Sequence, residues 1–315
     1  MFGFDIGGTK CAVCVGSEEG GKLEILDKKI ISTDFSISAY EMIERMCTLM
    51  EDMTEQIDYI GVSCGGPLDS KRGTIKSPPN LPGWDDVEIV TYLRHKYGCK
   101  AYLQNDANAC AVAEWKYGAG KGCENMIFLT FGSGLGAGFI LNGKLYTGTS
   151  DMAGECGHIR LAPFGPIGFG KAGSFEGFCS GNGIAQIGQM MAREKLQMGQ
   201  RVSYCTEMRQ LSTITAKHIA EYANQGYEDA KAVYDLCGEM LGHGLAVLID
   251  LLNPERIVLG SVFQRSEHLL RAKMEQVLER ECLVASRGVC EIVPALLADN
   301  IGDYAALAVA AMGGE

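Results

Sequence analysis

Close to the start of the chain, Phe4-Asp5-Ile6-Gly7-Gly8-Thr9-Lys10 places a carboxylate, two glycines, a hydroxyl and a cation ahead of a second apolar run, Cys11-Ala12-Val13-Cys14-Val15. Two strands joined by such a turn expose backbone N–H groups at the bend, and glycine lets a ligand come close. Those amides, with the Thr9 hydroxyl and the Lys10 ammonium, suit a phosphate. Asp5, at the end of the first strand, suits Mg²⁺, a hard cation that takes oxygen ligands. A plain hairpin would use the same residues, so the stretch gains meaning only from its echo. Met126–Phe131 reads as a strand that runs into Gly132-Ser133-Gly134-Leu135-Gly136-Ala137-Gly138, then Phe139–Leu141 and an Asn142-Gly143 turn. Strand, glycine and hydroxyl turn, strand thus occurs twice, with Thr130 and Ser133 as the second set of hydroxyls. Two such hairpins, each opening one half of the chain, indicate two related domains facing one ligand.

Two look-alike motifs fail on context. Gly16, Gly21 and Lys22 have nearly the Walker A spacing, but Leu23 stands where a Mg²⁺-binding hydroxyl is needed and a strand-like run follows. The Gly132–Gly138 run resembles a dinucleotide fingerprint, but a strand rather than a helix follows it.

A candidate proton acceptor lies elsewhere. Ala101–Leu103 reads as a strand, Gln104-Asn105-Asp106 as its end, and Ala107–Tyr117 as a helix. Asp106 there is either a helix cap or a reactive carboxylate. In Ser77-Pro78-Pro79-Asn80-Leu81-Pro82-Gly83-Trp84, the prolines stiffen the loop and hold Asn80 at low entropic cost.

The elements that must position these groups alternate. Helices are expected at Tyr40–Gln56, Asp86–Tyr97, Ala107–Tyr117, Gly181–Leu196, Thr215–Asn224, Asp229–Leu252, Glu267–Arg280 and Gly302–Met312. Strands are expected at Met1–Asp5, Cys11–Val15, Leu23–Leu26, Tyr59–Ser63, Ala101–Leu103, Met126–Phe131, Phe139–Leu141, Arg256–Leu259 and Glu291–Val293, with a polar turn over Gly16–Lys22. Strands alternating with helices make the class α/β. A length of 315 residues fits about two domains. The net charge of −11 argues against a general nucleic-acid binder. The 13 cysteines have no disulfide-like spacing and no signal segment precedes them, which points to reduced thiols in the cytoplasm. No apolar run is long enough to predict a membrane span: Gly244–Leu252 is short and carries Asp250.

Taken in order, these motifs resemble the ROK family of sugar kinases and sugar-responsive repressors, within the actin/hexokinase/Hsp70 superfamily. Asp5–Lys10 resembles its first phosphate motif, Ser77–Trp84 its sugar-facing loop, and Asn105-Asp106-Ala107-Asn108-Ala109 its catalytic segment. Thr130–Gly138 resembles its second phosphate motif, and Gly154-Glu155-Cys156-Gly157-His158 with Glu176 its sugar-gripping group. The resemblance implies two actin-like (ribonuclease H-like) domains with a ligand cleft between them. Residues 1–112 plus 301–315 would form the first and 113–300 the second. It implies ATP-dependent phosphorylation of a hexose 6-hydroxyl, with Asp106 as catalytic base. Asn80, Asn105, Asp106, Glu155, His158 and Glu176 would contact the sugar. Asp5, Gly7, Gly8, Thr9, Lys10, Thr130, Gly132, Ser133, Gly134 and Gly260 would contact ATP or its phosphates, Asp5 orienting Mg²⁺ through water.

Glucose leads among substrates, with N-acetylmannosamine, N-acetylglucosamine, fructose, allose and β-glucosides as alternatives. A sugar-sensing regulator is the reading from another class, but with the first motif at Asp5 no DNA-binding segment is expected ahead of it. An actin- or Hsp70-like ATPase without a sugar is a third. The resemblance also implies a homodimer or homotetramer. One departure stands out. The family's zinc site uses the His of Gly-Glu-x-Gly-His and three cysteines of a Cys-x-Cys-Gly-x-x-Gly-Cys-x-Glu run. Aligned on Glu176, those cysteine positions hold Ile167, Phe169 and Ser174. No structural zinc is expected, since these side chains cannot replace thiolates. Instead the loop is expected to pack through Ile167, Phe169 and Phe175.

Overall fold

In the computed structural model, which describes residues 1–53 and 56–312, the chain forms two units by close contact. One comprises Met1–Phe128, Gly138–Gly154 and Leu296–Glu315, and the other Leu129–Ala137 and Glu155–Ala295. The expected boundary after residue 112 would fall inside a continuous helix, Asp106–Tyr117, that belongs wholly to the first unit.

The chain begins with β1 (Phe2–Ile6), β2 (Lys10–Glu19), β3 (Lys22–Ser32), α1 (Ala39–Glu51), β4 (Tyr59–Cys64), β5 (Leu68–Asp69) and β6 (Thr74–Ile75). It continues through α2 (Ile89–Tyr97), β7 (Lys100–Asn105), α3 (Asp106–Tyr117), β8 (Met126–Leu129), β9 (Ala137–Leu141) and β10 (Lys144–Tyr146). Next come β11 (Ile167–Gly168), β12 (Lys171–Ala172), α4 (Phe175–Phe178), α5 (Gly181–Gln197), α6 (Ala216–Asn224) and α7 (Glu228–Leu252). The last elements are β13 (Arg256–Leu259), α8 (Val262–Glu281), α9 (Val284–Arg287), β14 (Glu291–Pro294) and α10 (Ile301–Met312). One sheet has the order β3-β2-β1-β4-β7 and the other β10-β9-β8-β13-β14. Numbered by order of entry, both read third, second, first, fourth, fifth, so the motif repeated in sequence opens a repeated topology.

The first sheet shows why Asp5 faces where it does. Along β1, side chains alternate. Phe2, Phe4 and Ile6 enter a core with α1 residues Met42, Ile43, Met46 and Met50. Gly3 and Asp5 face the other way, toward α10. The same alternation sends Cys11 into that core and Cys14 to a separate cluster with Leu307. The helix lies so close to the sheet that a Cβ on Gly61 would collide with Ala306 O and Ala310 N. Glycine at that site is a condition of the packing.

A buried carboxylate ties α3 into this arrangement. Glu114 Oε2 accepts from Ala119 N (2.7 Å) and Leu296 N (3.2 Å), and Oε1 from Leu297 N (2.8 Å). It thereby joins the end of α3 to the segment that leads into α10.

Several boundaries differ from expectation. The turn at Gly16–Lys22 shrinks to Gly20-Gly21, both at positive φ, because β2 continues to Glu19 and pairs with β3. The α2 helix starts at Ile89 because Val87 bridges back to Ile75. The α1 helix stops at Glu51; the expected extension to Gln56 crosses residues 54 and 55, which lie outside the described residues. The α8 helix begins five residues early, at Val262, with a Ser261–Gln264 capping box. Among the described residues, α7 alone is long and apolar enough to cross a membrane, and most of it is buried in the protein, with Val233, Cys237, Leu241, Leu245 and Ile249 inside.

Replacing Glu114 with Ala removes the acceptor shared by three backbone donors. We expect a loss of about 3 kcal/mol in unfolding free energy, with Glu114→Gln losing less, as read by urea denaturation. A loss under about 1 kcal/mol for the alanine variant would show that the bracket is dispensable.

Candidate active site

The first unit gathers Asp5, the Gly7–Lys10 bend, Asn80, Asn105 and Asp106. Gly7 N donates to Lys10 O (3.1 Å), which closes a tight bend with Gly8 and Thr9 at its tip. Gly7 O accepts from the Thr33 hydroxyl (2.6 Å), and Thr9 O from Thr33 N (3.1 Å). Thr33, which sequence reasoning passed over, therefore pins the bend at two points. The Gly7 amide is thus engaged inside the bend itself. Gly8 meets a demand from within the protein, since a Cβ there would stand 2.5 Å from Asn80 O.

The Asn80 loop is fixed by its own turns. Leu81 N donates to Pro78 O (2.9 Å), and Ser77 N to Trp84 O (3.0 Å). Leu81 and Trp84 are buried, whereas Asn80 is exposed. The amide of Asn80 lies beside Gly65 and that of Asn105 beside Gly66. The Gly65-Gly66 turn after β4 thus lies beside both amides.

Asn105 caps α3: its Oδ1 accepts from Ala107 N (3.0 Å) and Asn108 N (3.4 Å). Asp106 is the first helical residue, and its Oδ1 accepts from Ala107 N (2.8 Å). The cap role that competed with catalysis for Asp106 thus falls to Asn105. The Asp106 carboxylate keeps accessible surface, yet the protein crowded around it removes water and raises its pKa above the usual carboxylate range. The hydrogen bond from Ala107 opposes that shift.

Asp5 is pushed up to about 6, first by burial and then by the charges of Asp303 and Asp106, with Lys28 and Lys10 opposing. Asp303, on the first turn of α10, is buried and paired with Lys28 Nζ at 2.5 Å. Gly302 lies against Asp5, where a Cβ would stand 2.7 Å from Oδ2. The negative charges of Asp303 and Asp106 thus bear on the buried Asp5 carboxyl, and a cation beside it would offset that repulsion.

The second unit gathers the Thr130–Gly134 turn, Gly260, Glu155, His158 and Glu176. The Thr130 hydroxyl accepts from Gly136 N (2.9 Å), and Gly132 N donates to Gly134 O (2.9 Å). Thr130 therefore braces the turn from within. Gly181 N, at the start of α5, donates to Gly132 O (2.7 Å). Gly260 N donates to Leu129 O and Val262 N to Phe131 O (both 2.9 Å), so Gly260 lies alongside the same turn. The N-terminus of α5, a place suited to anions, went unassigned in the sequence.

Glu176 is half-buried and its Oε2 accepts from Leu135 N (3.0 Å). Its side chain also packs against Gly157 and Gly168, linking the glycine turn to the Glu155–His158 segment. Glu155 is exposed, and the three-residue 3-10 turn that follows it ends at His158. The Ile167–Phe175 loop does not pack as its apolar residues lead one to expect. Phe175 is fully buried, but Ile167 is 55% and Phe169 72% exposed. The short β11–β12 hairpin holds those two away from the core.

The position of Asp5 yields a pH dependence. Its folded pKa lies above the unfolded one, so the protonated carboxyl is favoured by folding, and that stability is lost as pH rises through about 6. The Tm advantage of Asp5→Asn over the wild type, without nucleotide or magnesium, should grow from about pH 4 to pH 6 and then level off. A difference that stays constant over that range would contradict the burial and charge assigned to Asp5.

Residues 1–312 match the ROK family. A glucokinase of Thermotoga maritima is 28% identical over 316 residues, spanning 98% of this chain and 96% of its own length. An N-acetylmannosamine kinase of Yersinia pestis is 31% identical over 257 residues, spanning 81% of this chain and 80% of its own. Among solved structures, a ROK family glucokinase from Streptomyces griseus in complex with glucose and AMPPNP has a TM-score of 0.77 at 28% identity, with 99% of each chain covered. With the two matched sheets and the ordered motifs on them, the chain is a member of the ROK family.

Proposed function

We propose that this protein is an ATP-dependent hexose kinase that transfers the γ-phosphoryl group to the sugar 6-hydroxyl. The observation that carries the reading is Asp106: an accessible carboxylate with a raised pKa at the start of α3, grouped with Asn105, Asn80 and Asp5. Phosphoryl transfer to an alcohol needs a positioned hydroxyl, a proton acceptor and neutralised phosphate charge. In this reading Asp106 accepts the hydroxyl proton, and its raised proton affinity suits that task. Asn80 and Asn105 hold sugar hydroxyls, as do Glu155, His158 and Glu176, because carboxylates, amides and imidazole match the alternating donors and acceptors of a sugar. Gly8, Thr9 and Lys10, with Gly7 shaping their bend, and the Thr130–Gly134 turn with Gly260 hold ATP and its phosphates. Magnesium, entering with ATP, would supply charge neutralisation, with Asp5 orienting it through water.

Similarity to a glucokinase favours glucose as the acceptor. Similarity to an N-acetylmannosamine kinase supports a second candidate, N-acetylmannosamine. A panel of hexoses and N-acetylhexosamines at fixed Mg-ATP decides between them: the higher kcat/KM names the acceptor.

Asp106→Asn should lower kcat by about 10²–10⁴-fold, the usual weight of general-base catalysis, while sugar binding by calorimetry changes little. Near-normal turnover in that variant would sink the assignment.

A further inference from the structure

The hairpin Ile167–Ala172 occupies the place where the ROK pattern carries zinc-binding cysteines, and its residues do not fit a metal. Among the described residues, no three His, Cys, Asp or Glu side chains converge as a metal site would need. The Ser174 hydroxyl, at one cysteine position, is buried and accepts from Gly177 N (3.0 Å) as the cap of α4. The hairpin nonetheless is built, and among its contacts is one with His158. Its two strands pair Ile167 with Ala172 and Gly168 with Lys171. The turn is Phe169-Gly170, with φ of +42° and +75°. A phenylalanine in that left-handed region is unfavourable and persists only where the surroundings demand it. Gln186 of α5 grips the hairpin by both backbone groups of Ile167, its Oε1 accepting from Ile167 N and its Nε2 donating to Ile167 O (both 2.9 Å). From this anchored base, Lys171 Nζ donates to His158 O (2.6 Å). The Phe169 ring meets the His158 imidazole edge to face, with centroids 5.3 Å apart and planes at 80°.

We propose that this hairpin orients His158 without a metal, with Phe169 and Lys171 as positioning residues for sugar binding. Phe169 sets the plane of the imidazole through its edge-to-face contact. Lys171 fixes the backbone from which the ring projects. The exposure of Phe169 follows from this: its ring serves the neighbouring histidine rather than the core. The inference rests on the reading of His158 as a sugar ligand, and the experiment separates the two. Phe169→Ala, Phe169→Tyr and His158→Ala are compared in the full chain, with the best acceptor of the hexose panel. Phe169→Ala should raise the sugar KM at least fivefold, leave kcat and the ATP KM within about twofold, and shift the His158 ring resonances in sugar-free protein. Phe169→Tyr, which keeps the ring, should restore the KM. A Phe169→Ala KM within twofold of wild type, while His158→Ala raises it, overturns the role of the hairpin and leaves the sugar reading standing. An unchanged KM in His158→Ala removes the sugar reading of that residue, and this inference with it.

Discussion

The approach of α10 to the first sheet is the constraint on which the Asp5–Asp106 site depends. Gly61 has no side chain because Ala306 O and Ala310 N occupy the space a Cβ would need. That closeness brings Gly302 and Asp303 against Asp5, removes water from its carboxyl and sets a second buried negative charge beside it. The Lys28–Asp303 ion pair limits the cost by neutralising one of the two. The same segment reaches α3 through Glu114, whose carboxylate binds the amides of Leu296 and Leu297. The helix that begins with Asp106 and the strand that ends near Asp5 are therefore braced by one C-terminal stretch.

In each unit some polar groups are committed to shape, and the proposed function draws on the others. In the first, Gly7 N and Thr33 form the bend, and Asn105 takes over the capping of α3. The N-cap role thereby falls to Asn105 rather than Asp106, whose Oδ1 accepts from Ala107 N. In the second, the Thr130 hydroxyl and the Glu176 carboxylate brace the glycine turn, and the start of α5 abuts it. Glu176 thus acts on shape as well as standing beside the Glu155–His158 segment.

Much of this was legible from residue order. The alternation Phe2, Phe4, Ile6 against Gly3, Asp5 places the carboxylate on one face of β1, and the strand-end position of Asn105-Asp106 fixes the start of α3. The repeated hairpin announced the repeated sheet order. What escaped was non-local. Glu114 finds partners 182 and 183 residues away, and no local pattern marks it. The late start of α2 comes from Val87 pairing with Ile75, a tertiary contact that outweighs helical periodicity. Ile167 and Phe169 were expected inside because they are apolar, but hydrophobic character alone does not determine burial. A hairpin anchored by Gln186 carries both of them outward.

If Asp106 and its neighbours act on a sugar hydroxyl, as proposed, turnover of ATP must wait for the sugar. The most direct test is ADP release by the purified protein in Mg-ATP, followed with and without hexose. Release is expected to depend on the hexose and to match sugar phosphate formed one to one. Sugar-independent ATP hydrolysis as the main activity would contradict it.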